Sequence, residues 1–139
     1  MSTNSKIAIE KETGEITAIY CHWDGYHSHN GTILKEAYST KERVEELIAL
    51  GSLSSLEKRT SPNEGESHSF SFPQNGVTVA YHRDRGEEFM QESFTSQEEF
   101  FKENPHYFVL YLFTKEGKWT TLLEGEVCDL EKALKEISV

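Results

Sequence analysis

Hydrophobic and polar positions alternate at the start of the chain. In KIAIE, Ile7 and Ile9 share one side of an extended segment. In EITAIYCHW, Ile16, Ala18 and Tyr20 fall on one side, while Cys21 and Trp23 share the other with Thr17 and Ile19. With Glu12-Thr13-Gly14-Glu15 between them, the two segments predict a hairpin. The period then lengthens. Ile33, Leu34, Ala37 and Tyr38, and after them Val44, Leu47 and Ile48, recur at helical spacing, and Ser39 with Glu42 makes a capping-box pattern that opens the second helix. Gly51 is placed to end that helix, with Leu53 and Leu56 holding the following turn on the core. Residues 57–67, EKRTSPNEGES, are almost wholly polar, contain Pro62 and Gly65, and predict a mobile loop.

Alternation returns in HSFSF and GVTVAYHRDR, which predict a second antiparallel pair joined through Pro73-Gln74-Asn75-Gly76. An acidic connector follows, in which Thr95 and Glu98 open a short helix that Asn104-Pro105 stops. From Tyr107 to Phe113 every position is apolar, the pattern of a central strand covered on both faces. A turn at Lys115-Glu116-Gly117-Lys118 leads into WTTLLEG, and Val127, Leu130, Leu134 and Ile137 predict a closing helix. The expectation is one α+β domain over residues 1–139: a mainly antiparallel sheet of about six strands with three to four helices on one side.

Composition narrows the partners. At 139 residues, with 36 % hydrophobic and 12 % aromatic content, the chain has one domain's worth of core. Its 24 acidic and 14 basic residues give a net charge of −10, a field that repels phosphate backbones and disfavours direct nucleic-acid binding. Cys21 and Cys128 form no CxxC pair, MSTNSK lacks the apolar run of a signal peptide, and no stretch is long and apolar enough to span a bilayer. A reduced, cytoplasmic protein is expected, with aromatic surface available for a homo-oligomer.

Chemistry concentrates in two places. YCHWDGYHSHNG, residues 20–31, offers Cys21, His22, Asp24, His27 and His29 in one turn, yet it lacks the paired spacing of a zinc site, and no resident metal or cofactor is expected. No GxSxG, HExxH or phosphate loop accompanies them, and HRD at 82–84 has no kinase context. HRDRG, read as the end of a strand, would put Arg83 and Arg85 on one face as a clamp for a phosphate or carboxylate, with Trp23, Tyr26 or Tyr81 to stack on a flat group. The connector carries Glu87, Glu88, Glu92, Glu98, Glu99 and Glu103 against a single Lys102, which would suit an acidic inhibitor of a basic protein.

IYCHWDGY, the helical GTILKEAYSTKERVEELIALGSLSSL, and GVTVAYHRDRGE together resemble a family of small bacteriophage and prophage proteins with an HWDGYP-type motif near the start. The likeness covers residues 16–56 and 76–88 and departs at His27, where the family has proline, and in the YHSHNG that follows. It implies a phage setting, within the host cytoplasm, where small non-catalytic proteins counter host immunity. The leading expectation is sequestration of an anionic, nucleotide-like ligand. His22, Trp23, Asp24, Tyr26, Tyr81, Arg83, Asp84 and Arg85 would form the site, provided the two strands that deliver them run the same way. Two alternatives stand beside it. One is an acidic inhibitor that occludes a host defence protein, of the anti-CRISPR or anti-restriction type. The other is a metal-dependent hydrolase using Cys21, His22 and His27.

Overall fold

A computed structural model of the chain describes residues 2–137; among them are eight strands, five α-helices and one π turn. β1 (Ser5–Glu10) and β2 (Ile16–Cys21) form the expected hairpin, with Ile7 opposite Ile19 and Ala8 opposite Ala18. β1 also pairs in parallel with β6 (Val109–Phe113), Ser5 lying opposite Val109, and β6 pairs antiparallel with β7 (Trp119–Leu123). On its other side β2 runs parallel to β3 (Leu53–Ser55), which pairs antiparallel with β4 (Val79–Ala80). A short β5 (Glu92–Phe94) joins β2 beyond the end of β3, and β8 (Glu126–Asp129) closes the far edge. The sheet order is β4-β3-β2-β1-β6-β7-β8, with β5 beside β2. The α+β class holds; the sheet is mixed and has eight strands, where about six were expected.

The period of two along each strand sorts the core. Ile7, Ile9, Ile19, Cys21, Tyr111 and Phe113 face α1 (Thr32–Ala37), α2 (Lys41–Ile48) and α5 (Leu130–Ile137). Ala8, Ile16, Ala18, Leu110 and Leu112 face the other way, onto Phe100 of α4 (Gln97–Glu103). Helices therefore cover both faces, not one. The cause is legible in β6, whose apolar side chains alternate to both sides, and in Ala8 and Ala18, whose small side chains leave room for the Phe100 ring. Full burial of that ring is worth about 2–3 kcal/mol.

Four local expectations change. Thr40, not Ser39, caps α2, accepting from the Arg43 N–H, and Ser96, not Thr95, caps α4, accepting from the Glu99 N–H. The closing helix begins only at Leu130, because Glu124 (φ 52°) and Gly125 (φ 81°) reverse the chain in two residues and carry Val127 and Cys128 back along β7 as β8. HSFSF forms no strand; β4 pairs with β3 instead, and the chain turns straight into α3 (Tyr81–Arg85), capped by Gly86 at φ 71°. Within the polar segment 57–67, Arg59 bridges to Val77 and donates to Glu66 (2.7 Å) and to the Asn75 carbonyl (2.9 Å). None of the described helices is long and apolar enough to cross a membrane.

Candidate functional site

Even-numbered positions of β1 and β2 send Lys6, Tyr20 and His22 to the face that carries α4, and Phe108, just before β6, joins them. α4 covers only the part of that face around Phe100. The rest is a row of rings. Tyr107 stacks on Phe108 (centroids 5.0 Å apart), Phe108 meets Tyr20 edge-on (6.1 Å), the Tyr20 hydroxyl bonds the His22 Nδ1 (2.6 Å), and His22 meets Trp23 edge-on (4.6 Å). Offset and edge-on contacts of this kind hold rings at fixed spacing. Trp23 and Tyr107 end the row half-exposed and exposed. Beside it lies a cavity of about 350 Å³ lined by Lys6, Ala18, Tyr20, Ser52, Gln91 and Glu92, among others.

A second group adjoins the first at Tyr20. Tyr81 N–H donates to the Ser52 carbonyl, and Arg85 lies over both the Phe70 ring (4.2 Å) and the Tyr81 ring (5.0 Å). Tyr81 and Arg85 are four residues apart on one helical turn, which is what brings cation and ring together. Partial burial raises the Tyr20 phenol above its ordinary range, and the proximity of Tyr81 raises it further. The Arg85 guanidinium is half-exposed and also pairs with Glu87.

The eight residues singled out from the sequence separate into four groups. His22 and Trp23 belong to the ring row, and Tyr81 and Arg85 to the stacked group beside it. Asp24 and Tyr26 lie on the turn that rounds the end of the sheet toward the α1, α2 and α5 side, where the Tyr111 hydroxyl donates to the Gly25 carbonyl (2.7 Å). That turn fits only because residue 25 is glycine: a Cβ there would come within 2.8 Å of Ser5 Cβ and the Thr3 carbonyl. Arg83 and Asp84 are engaged by the protein itself, the Asp84 carboxylate covered and the Arg83 side chain 29 % exposed. The Arg83 fork donates to Asp84 (2.8 and 3.0 Å) and to the carbonyls of Thr60 (2.5 Å) and Thr78 (2.8 Å). Burial alone would raise the Asp84 carboxyl, but Arg83, the Ala80 N–H and His68 together hold it below its ordinary range.

The geometry thus corrects the twin-arginine clamp. β2 is parallel to β3 and β3 antiparallel to β4, so β2 and β4 run in opposite directions, and the chain leaves Cys21 and Ala80, which share a row through Leu53, in opposite senses. Moreover, Arg83 and Arg85 sit on a helical turn, where residues two apart point about 200° away from each other. Arg85 is the more exposed of the two, its side chain 50 % exposed against 29 % for Arg83. Lys6, Tyr20 and Phe108 were missed as site residues. The alternation that put Tyr20 with Ile16 and Ala18 would have placed His22 on the same face, but nothing local marks Lys6, which reaches that face only through its pairing opposite Tyr20.

Cys21, His22 and His27 do not converge. Cys21 is fully buried among apolar side chains on the face that carries α1, α2 and α5, and burial pushes its thiol up to about 12, opposed by bonds from Asn30 and others. His22 lies on the opposite face. His27 belongs to the π turn (His27–Gly31), with Nε2 2.9 Å from the Thr121 Oγ1; that hydroxyl donates to the Leu110 carbonyl (2.7 Å), so it accepts from an Nε2–H. Burial lowers the His27 pKa. Among the described residues no three His, Cys, Asp or Glu side chains are grouped to hold a metal ion. In the acidic connector, Glu87 and Glu92 are paired with Arg85 and Lys6, which reduces the charge left to present to a basic partner.

No protein-family model, no curated protein and no solved structure matches the chain.

Proposed function

We propose that this protein binds a planar, anionic, nucleotide-like molecule on the partly open face of its sheet and performs no chemistry on it. Trp23, His22 and Tyr81 supply flat surfaces for the ring system, and Arg85, its plane already fixed by Phe70 and Tyr81, supplies a cation at the edge. The carrying observation is the ring row from Tyr107 to Trp23 lying beside a half-exposed guanidinium in a protein of net charge −10. A stacking surface with few cations suits a small ligand better than a polyanionic strand, whose backbone the overall charge repels. In the phage setting that the sequence resemblance implies, the role would be sequestration of a nucleotide signal of host defence.

Thermal melting against a panel of mono-, di- and cyclic nucleotides tests this reading. A ligand present at a hundred times its Kd stabilises the folded state by about 2.7 kcal/mol. The wild type should show such a rise with at least one nucleotide, and Trp23→Ala and Arg85→Ala should each lose most of it. A panel that leaves the wild-type transition unmoved ends the proposal.

A further inference from the structure

Lys6 is an unusual cation for its position. It lies in the strand at the middle of the sheet order, its side chain is only 10 % exposed, and its Nζ stands 4.9 Å from the centre of the Phe108 ring. A charge so covered needs an anion at hand. The anion is the carboxylate of Glu92, whose own side chain is 46 % exposed and which belongs to β5, a three-residue strand at the end of an exposed connector. The two partners are therefore unequal. Glu92 can turn into solvent and be rehydrated at once, whereas Lys6 is held by β1 between the Phe108 ring and the cavity it lines with Glu92, Tyr20, Ser52 and Gln91.

We propose that Lys6 is a second anion-binding group of this face, beside Arg85, and that Glu92 occupies it as an internal surrogate. An incoming phosphate monoester takes the place of the Glu92 carboxylate on the ammonium, its flat group resting on the adjoining rings, and Glu92 moves out to solvent. This inference rests on the proposed function and names the chemistry its ligand must carry: a terminal phosphate on a planar nucleoside. It also assigns Glu92 a regulatory effect, since affinity for any anion is lowered by the fraction of molecules in which the carboxylate holds Lys6.

Isothermal titration with inorganic phosphate and with adenosine 5′-monophosphate, on the wild type and Glu92→Gln, tests the exchange. If the carboxylate holds Lys6 nine-tenths of the time, Glu92→Gln should bind both probes about tenfold more tightly. Adding Lys6→Arg should keep the gain, and adding Lys6→Met should abolish it. Affinities for both probes within twofold between wild type and Glu92→Gln would overturn the proposal, as would a gain that survives Lys6→Met. Because Glu92 is exposed, the Glu92→Gln comparison decides the matter even where a Lys6 variant does not fold. The monophosphate binding equally to wild type, Glu92→Gln and Lys6→Met sinks the exchange and leaves the stacking reading standing. Phosphate binding gained in Glu92→Gln with no added affinity for the nucleotide upholds the exchange and sinks the nucleotide reading.

Discussion

Replacing Arg83 separates a structural strut from a ligand clamp. In Arg83→Ala the carbonyls of Thr60 and Thr78 lose their donor, and Asp84, almost wholly covered, loses the cation that holds it ionised. Charge-assisted hydrogen bonds contribute about 1.5–3 kcal/mol each when water cannot replace them. Here the Arg83 side chain is 29 % exposed, so water recovers part of each. Allowing about 1 kcal/mol for each of the three acceptors, Thr60, Thr78 and Asp84, gives a loss of about 3 kcal/mol. For a chain of this length that corresponds to a fall in melting temperature of ~10 °C, or a urea midpoint lower by ~1.5 M. Arg83→Lys, with a charge but no fork, should recover less than half. Urea unfolding followed by tryptophan fluorescence measures the effect. If Arg83→Ala unfolds within about 0.5 kcal/mol of wild type, the scale of an ordinary surface substitution, while nucleotide binding disappears, the strut assignment is wrong and Arg83 is a clamp after all.

Two further outcomes follow from buried groups. A maleimide added to the native protein should label Cys128 alone, because Cys21 is fully buried with its thiol pushed up to about 12, and denaturant should expose both; rapid double labelling under native conditions would contradict the packing around Cys21. His27 is held neutral by burial, so the unfolded chain binds a proton that the folded one resists. Its contribution is therefore complete above its ordinary pKa of 6.5, declines as pH falls below that value, and is lost once pH passes the lowered folded value. Urea midpoints measured from pH 7.5 to 5 should fall less in His27→Gln than in wild type, and parallel curves would show that this imidazole is not the cause.

Much of the architecture was legible because burial writes periodicity into sequence. The β1–β2 hairpin, α1, α2 and the apolar β6 all follow from spacing alone. What escaped was set by pairing at a distance. GVTVAYHRDR alternates like a strand, but β4 has only the short β3 as partner, and Asp84, reaching back to the Ala80 N–H, favours a helical turn directly after it. That single change of period turned two arginines expected on one face into a strut hydrogen-bonded through its whole fork and an outward-facing cation. Likewise Val127 fits a helical repeat with Leu130 and Leu134, yet the Glu124-Gly125 reversal claims it for β8. Of the eight site residues drawn from the sequence, His22, Trp23, Tyr81 and Arg85 lie on or beside the ring row. Lys6 stayed hidden because a lone lysine in an alternating strand reads as solvent-facing until the rings that cover it are in place.

The parallel pairing of β1 with β6 sets the order in which this protein can be completed during synthesis. β1 leaves the ribosome ahead of β2 and β6 and can form its hairpin with β2 early, but the strand that covers its other edge arrives only when Phe113 has emerged. Until then Ile7, Ala8 and Ile9 present an open hydrogen-bonding edge to whatever strand is nearby, the condition in which nascent chains pair wrongly. The early hairpin should therefore depend on chaperone shielding, and ribosome-bound chains arrested before residue 109 should be protease-sensitive along β1 while chains released after residue 123 are not.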